Sequence, residues 1–155
     1  MQENNIAQVE APAVAPWQAP TDPPQRILVV DDDETTRFIN AKILAHSGYH
    51  VDAVEDGDAA WQALNTDSYD LLVTDHNMPN VSGVELLKKL HATCMTVPVI
   101  MATGTLPKEE FTRYPELRPD ATLLKPYSVE QLLEAVKEIL CTTRTPREQR
   151  DLLPV

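Results

Sequence analysis

Long hydrophobic runs and cysteine are both scarce in this sequence. No apolar stretch approaches the roughly 20 residues that a membrane-spanning helix needs, and the N-terminus lacks the basic-then-apolar pattern of a secretory signal. The two cysteines, Cys94 and Cys141, lie far apart in patterns that predict helices, which is typical of idle or buried thiols rather than of a disulfide framework. From these absences we expect a cytoplasmic protein.

Basic residues are also under-represented. The chain has 13 lysines and arginines against 24 aspartates and glutamates, so its formal net charge is −11. Residues 27–140 carry a net charge of −10 of this total. A domain that acidic repels nucleic acid and anionic membranes, and it suits a cation or a basic protein surface.

Composition divides the chain into three parts. Residues 1–26 are rich in proline and alanine without a usable period, which predicts a flexible or extended tail. Residues 27–141 have the length and apolar content of one globular domain. Residues 142–155 are too few for a second domain, so we expect a short C-terminal tail.

Strand and helix patterns alternate through the central part. The runs RILVVD, YDLLVTD, VPVIMATG and DATLLKP are short and apolar, as strands covered on both faces are, while HVDAVED alternates. A helical pattern follows each strand. In the first helix we expect Phe38, Ile39, Ile43 and Leu44 to form the apolar face, with Gly48 closing it. Ser128 and Gln131 predict a capping box at the last helix. Five such units indicate an α/β doubly wound domain, a three-layer (βα)5 sandwich around a parallel sheet.

Polar residues follow the predicted strands in an uneven way. Since the carboxyl ends of parallel strands share one edge of a sheet, ligands bind there. The residues at that edge include several carboxylates, one hydroxyl and one ammonium: Asp31, Asp32, Asp33, Glu55, Asp56, Asp75, Thr103 and Lys125. Carboxylate oxygens are ligands for Mg²⁺ and lysine binds phosphate, so this edge predicts a site for both.

Four segments in this order, VVDDD, LLVTDHNMP, MATG and LLKP, resemble the receiver domain of two-component response regulators, the CheY-like superfamily. The resemblance covers about residues 27–140. It implies a flavodoxin-like sheet with strand order 2-1-3-4-5, and a cis bond between Lys125 and Pro126.

The resemblance also implies roles for single residues. Asp75 matches the phosphoacceptor, and Asp31 and Asp32 match the acid pair that holds Mg²⁺ together with Asp75 and the backbone carbonyl of Asn77. Lys125 matches the lysine that pairs with the phosphoryl group.

Three further positions concern the response to phosphorylation. Thr103 matches the switch hydroxyl. Thr122 stands where typical members carry an aromatic residue that moves with that hydroxyl, so the usual coupling is altered. Asn77 and Thr105 lie where the family tunes phosphoryl lifetime and partner choice.

The function implied is that of a phosphoacceptor regulator. A sensor histidine kinase or a histidine phosphotransfer protein would donate a phosphoryl group to Asp75 with Mg²⁺ as cofactor, and the product would signal through contacts with a downstream protein. Beyond self-phosphorylation and auto-dephosphorylation we expect no enzymatic activity, and we expect neither nucleic acid nor a membrane as partner. The absence of an output segment favours a stand-alone regulator over a receiver cut from a hybrid kinase.

Two alternatives stay open. The pattern Asp31-x-Asp33-x-Thr35 also matches the DxDxT motif of haloacid-dehalogenase-like phosphatases, with Asp31 as nucleophile and Asp33 as acid/base. An interaction module that no longer uses phosphate is the other. For Asp33 itself a helix-capping role is favoured. We expect Glu55 and Asp56 in a solvated loop and His76 exposed.

Overall fold

The fold is taken from a computed structural model, which describes the backbone of residues 24–152 and the side chains of residues 24–142. Strands and helices alternate, as the sequence pattern predicted. The strands are β1 (Arg26–Val30), β2 (His50–Val54), β3 (Leu71–Thr74), β4 (Val99–Thr103) and β5 (Ala121–Leu124). The helices are α1 (Glu34–His46), α2 (Gly57–Thr66), α3 (Gly83–Ala92), α4 (Lys108–Arg113) and α5 (Val129–Leu152), with a 3-10 turn at Pro115–Leu117.

The five strands form one parallel sheet in the order β2-β1-β3-β4-β5. This order confirms the predicted 2-1-3-4-5 topology. The chain passes from β1 to β2, which pairs with one edge of β1. It then crosses to β3, which pairs with the opposite edge of β1, so the strand order reverses at β1. A crevice therefore opens between the carboxyl ends of β1 and β3, where a site is expected.

Alternating strand residues divide the core into two layers. In β1, Leu28 and Val30 pack in the cluster formed with α2 and α3, whereas Ile27 and Val29 pack in the cluster formed with α1 and α5. Successive side chains of a strand point to opposite faces, so a continuously apolar strand fits a sheet covered on both sides. This arrangement confirms the three-layer sandwich.

The buried face of α1 differs from the prediction. Phe38 and Ile39 are 61% and 47% exposed, while Asn40 and Leu44 are buried. Phe38 lies two residues before Asn40, about 200° around a helix of 3.6 residues per turn, so both cannot face the sheet. The prediction is thus confirmed for Leu44 and for Ile43, which packs partly buried against the same core layer, and it is wrong for Phe38 and Ile39.

Several helix ends agree with the sequence. Gly48 has a positive φ of 100° just after α1, and Ser128 and Gln131 exchange the two hydrogen bonds of a capping box. The proline-rich fourth helical segment is short, as predicted. The last helix is longer than its apolar spacing predicted, since α5 runs to Leu152.

Cys94 was predicted to be helical but lies in the turn after α3, with a φ of 60°. Both Cys94 and Cys141 are exposed rather than buried. Within the described part of the chain, every helix is too short or too polar to cross a membrane.

Candidate metal and phosphoryl site

Two acids of the site extend the sheet by one residue. The backbone N–H of Asp31 donates to the carbonyl of Val54 at 3.2 Å, and that of Asp75 donates to the carbonyl of Val30 at 3.0 Å. The strand ladder therefore fixes both Cα positions at the carboxyl edge of β1 and β3. Rigid backbone on both sides places their carboxylates in the same crevice.

The side chains of Asp31, Asp32 and Asp75 form an acid cluster. One carboxylate oxygen from each lies within 4.8 Å of the others. Asp31 and Asp75 are only 3% and 7% exposed, whereas Asp32 faces solvent. Crowded carboxylates repel each other, and burial penalises their charged forms further. Such an arrangement needs a cation.

Lys125 follows the carboxyl end of β5 and supplies one positive charge. Its Nζ donates to Asp31 Oδ2 at 3.0 Å and to Asp75 Oδ2 at 3.1 Å. Burial lowers the pKa of Lys125, but its hydrogen bonds and Coulomb attraction to the two carboxylates outweigh that cost and raise it above the ordinary value. The side chain is therefore a fixed ammonium ion between two acids.

One ammonium does not offset the burial of Asp31. Burial is the largest influence and raises the pKa of this carboxyl, and the nearby charge of Asp75 acts in the same direction. The N–H of Asp33 donates to Asp31 Oδ1 at 2.9 Å, and it opposes the rise together with Lys125. The pKa of this carboxyl stays above its ordinary value, so its charged form is still disfavoured in the presence of Lys125.

The donor set fits magnesium. Mg²⁺ takes hard oxygen ligands, binds through a few carboxylates and keeps several waters. Asp31, Asp32 and Asp75 offer three such oxygens, and exposed Asp32 leaves one side open to solvent. Asn77, predicted to add a backbone carbonyl, lies exposed two residues after Asp75, and its ligand role stays a prediction.

Asp33 does not join the cluster. Its carboxylate caps α1 by accepting from the N–H of Thr36 at 2.9 Å and from the Thr36 hydroxyl at 2.6 Å, as the capping interpretation predicted. These two bonds are the main reason that its pKa is lowered. A phosphatase reading needs Asp33 as an acid/base beside Asp31, and here that carboxylate is occupied at the helix terminus.

The other acids at this edge have local roles. Asp56 was expected in a solvated loop, but it caps α2 by accepting from the N–H of Ala59 at 2.8 Å. Glu55 is exposed, as expected.

The hydroxyl residues occupy different environments. Thr103 is fully buried at the end of β4, and its hydroxyl accepts from the N–H of Thr105 at 3.3 Å. Thr105 itself is exposed. Thr122 is also exposed, and in the register of β4 and β5 it pairs with Met101 rather than with Thr103.

His76 is only partly exposed, which contradicts the expectation of a solvent-facing side chain. Its Nδ1 is buried and has no hydrogen-bond partner in the described part of the chain. The reason is the tight connection after β3, where the His76 N–H donates to Asp75 Oδ1 and its carbonyl accepts from Gly83 N–H.

Three residues that contact the site or its supports were not predicted. Arg37 Nη1 donates to the backbone carbonyl of Asp31 at 2.8 Å, and Asn40 Nδ2 donates to the Tyr127 hydroxyl at 2.8 Å. The available signal was an asparagine four residues before buried Leu44, on a face that should be apolar. Spacing alone could not name its partner, 87 residues away.

The fold and site together define a doubly wound α/β domain that carries an acid cluster at the carboxyl edge of its sheet, with a lysine bridging two of the acids. The response regulator receiver domain profile matches residues 27–137. The chain belongs to this family. The Lys125–Pro126 bond is cis, as the resemblance implied.

Relatives and solved structures agree with this assignment. Over 120 residues the chain is 32% identical to the response regulator MprA of Mycolicibacterium vanbaalenii, which covers 77% of this chain and 52% of that protein. The chain thus spans about half the length of the curated relatives it matches. A CheY-like receiver domain protein from Methanospirillum hungatei superposes with a TM-score of 0.74 at 30% identity, covering 79% of this chain and 98% of that one.

A receiver domain within a signal transduction histidine kinase from Syntrophus aciditrophicus is also similar. It has a TM-score of 0.70 at 28% identity and covers 78% of this chain and 93% of that one. The similar structures therefore include both a CheY-like receiver domain protein and a receiver domain of a histidine kinase.

Proposed function

We propose that this domain accepts a phosphoryl group on Asp75, in the presence of Mg²⁺, and signals through protein contacts. The observation that carries the proposal is the shared ammonium of Lys125, held 3.1 Å from Asp75 and 3.0 Å from Asp31. A phosphoacceptor carboxylate must meet an anionic donor, and this arrangement places positive charge where the two negative groups approach.

The proposed step is a displacement at phosphorus. A carboxylate oxygen of Asp75 attacks the phosphoryl group of a phosphohistidine, the P–N bond breaks, and its electron pair leaves with the imidazole, which takes up a proton from water. Lys125 donates to a phosphoryl oxygen and offsets its charge. Mg²⁺, held by Asp31, Asp32, Asp75 and the Asn77 carbonyl, would neutralise the remaining charge on the phosphoryl oxygens.

The product is an acyl phosphate, which water hydrolyses, so the signal decays by auto-dephosphorylation. Thr103 is the proposed switch, since its hydroxyl can exchange the weak 3.3–3.4 Å contacts with Thr105 for a phosphoryl oxygen. Thr105 and Asn77 are proposed to tune lifetime and partner choice. Because exposed Thr122 lacks an aromatic ring, we propose that the change passes to the surface through the β4–α4 connection instead.

The proposed donor is a sensor histidine kinase or a histidine phosphotransfer protein, and the proposed target is a downstream protein. We assign this activity to residues 27–141, with residues 1–26 and 142–155 as flanking segments, although β1 already begins at Arg26 and α5 continues to Leu152. The acidic charge of the domain favours protein surfaces over nucleic acid as its partners.

Incubation with acetyl phosphate and Mg²⁺, followed by intact-mass measurement, tests the proposal. We expect a gain of one phosphoryl group that is lost in Asp75→Asn and in the presence of EDTA. Asp56→Asn is the matched control, because it makes the same change at the same edge of the sheet and asparagine also caps helices well. No gain in the wild type, or an undiminished gain in Asp75→Asn, would overturn the proposal.

A further inference from the structure

Asn40 is a polar side chain on the buried face of α1. It is 5% exposed and lies one helical turn before Leu44, which is fully buried. A buried amide is costly unless its hydrogen bonds are made, and most buried polar groups have a partner. The partner here is the Tyr127 hydroxyl, which accepts from Asn40 Nδ2 at 2.8 Å.

This hydrogen bond joins the two segments that carry the site. On one side, α1 begins at Glu34, two residues after the acid Asp32. On the other, Tyr127 lies two residues after Lys125, in the connection between β5 and α5. Tyr127 also packs in the core layer that contains Leu44 of α1, while the hydrogen bonds of the neighbouring Ser128 form the α5 cap.

The Tyr127 hydroxyl also lies within electrostatic reach of the acid cluster. Burial is the main cause that raises the pKa of Tyr127, and the hydrogen bond from Asn40 and the charge of Lys125 oppose it. The carboxylates of Asp31 and Asp75 act with burial. The hydroxyl therefore stays protonated, and it accepts the hydrogen bond from Asn40.

We propose that Asn40 and Tyr127 are positioning residues for phosphoryl transfer, and that their hydrogen bond holds the Lys125 connection against α1 so that Nζ stays between Asp31 and Asp75. This inference rests on the proposed function. Lysine carries its charge on a flexible four-carbon stem. A fixed backbone at Lys125 therefore limits the positions that Nζ can reach. As a phosphoryl group approaches Asp75, the phosphoryl oxygens compete with the two carboxylates for the Lys125 ammonium. The bond between Asn40 and Tyr127 does not involve those carboxylates, so it can still hold the Lys125 backbone in place.

Two variants separate positioning from stability. Tyr127→Phe removes the acceptor and leaves the Asn40 amide unpaired, so it lowers the urea midpoint. Asn40→Leu combined with Tyr127→Phe replaces both polar groups by apolar ones of similar size, so it regains most of that midpoint. In both we expect the limiting rate of phosphorylation by acetyl phosphate to fall on the order of tenfold, with an unchanged half-saturating Mg²⁺ concentration.

Tyr49→Phe is the matched control. It removes a hydroxyl from another half-buried tyrosine of the same core layer, beyond the opposite end of α1 from the acids, and its phosphorylation rate should equal that of the wild type.

Three results would overturn the positioning role. The first is a double variant that regains the wild-type phosphorylation rate together with its stability. The second is a change in the half-saturating Mg²⁺ concentration while the phosphorylation rate stays the same. The third is a loss of phosphorylation rate in Tyr49→Phe equal to that in Tyr127→Phe. A wild-type protein that takes up no phosphoryl group would remove the proposed function and this role together. If the wild type is phosphorylated and the double variant matches it, only the positioning role fails.

Discussion

At the level of single residues, the acid cluster works against the stability of the domain that contains it. Burial raises the pKa of Asp31, so its charged form is less favourable in the folded chain than in water. Asp75 is similarly enclosed, and one ammonium is shared between the two. Functional sites commonly retain such a cost in stability.

We expect Asp31→Asn to raise the urea midpoint at pH 7 in EDTA, because the amide keeps the shape and loses the buried charge. The gain should depend on pH. As pH falls through the raised folded-state pKa, the wild-type carboxyl takes up a proton in the folded chain before the unfolded one does, and the penalty disappears. Below the ordinary value of 3.8, wild type and variant should converge.

Urea titrations of both proteins at several pH values check this expectation. Subtracting the wild-type urea midpoint from that of the variant at each pH removes the contribution of the acids that both proteins share. One of these is Asp33, whose lowered pKa has the opposite effect on stability. A variant that is less stable than the wild type at pH 7, or a gain that grows towards acid pH, would contradict it.

At the level of elements, the start of α3 is pressed against the loop that carries the acceptor. A Cβ on Gly83 would lie 2.6 Å from the carbonyl oxygen of Asp75 and 2.9 Å from the Cα of His76. Both are backbone atoms, so neither can rotate away. This close approach holds the connection after β3 and leaves the His76 ring partly enclosed.

We therefore expect Gly83→Ala to cost about 2 kcal/mol of unfolding free energy, as overpacking does, although alanine is the better helix former. Because the strain falls on the Asp75 backbone, phosphorylation by acetyl phosphate should slow as well. Chemical denaturation and intact-mass kinetics measure the two effects.

Gly104→Ala is the matched control for stability, since a Cβ there meets nothing within 4 Å. Its unfolding free energy should stay within about 0.5 kcal/mol of the wild type. Equal costs at the two glycines would show that the contact of Gly83 with the loop has no special weight.

At the level of the whole molecule, the negative net charge and the acid cluster both favour the binding of a cation. The chain carries −11 formal charges, and Asp31, Asp32 and Asp75 bring three carboxylates together at one point. A divalent cation bound there should stabilise the folded domain by mass action, whereas the unfolded chain offers no assembled site.

At Mg²⁺ concentrations about a hundredfold above its dissociation constant, we expect about 3 kcal/mol of added stability. Urea unfolding with MgCl2, compared with NaCl at equal ionic strength, measures this increment. Asp32→Asn should reduce it while leaving the fold intact, because that side chain is exposed. An equal increment with NaCl would attribute the effect to general screening.

Much of this molecule follows from local sequence pattern. Alternating strands and helices set the three layers, since strand and helix periods depend on neighbours a few residues apart. The polar residues after each strand predicted a shared edge, because parallel strands end together. The four motifs, through family resemblance, supplied the strand order that the periodicities could not.

Tertiary structure decided what depends on distant partners. It placed Asp31 and Asp75 in burial with Lys125 between them, whereas the cap that Asp33 forms with Thr36 is local and was already predicted from the sequence. It turned Asn40 rather than Phe38 towards the sheet and paired it with Tyr127. Sequence by itself determined which groups reach one edge of the sheet. Packing between remote segments determined which of them are buried and bound to the Lys125 ammonium. The reason is that burial and hydrogen bonds between distant residues form only when the layers pack together.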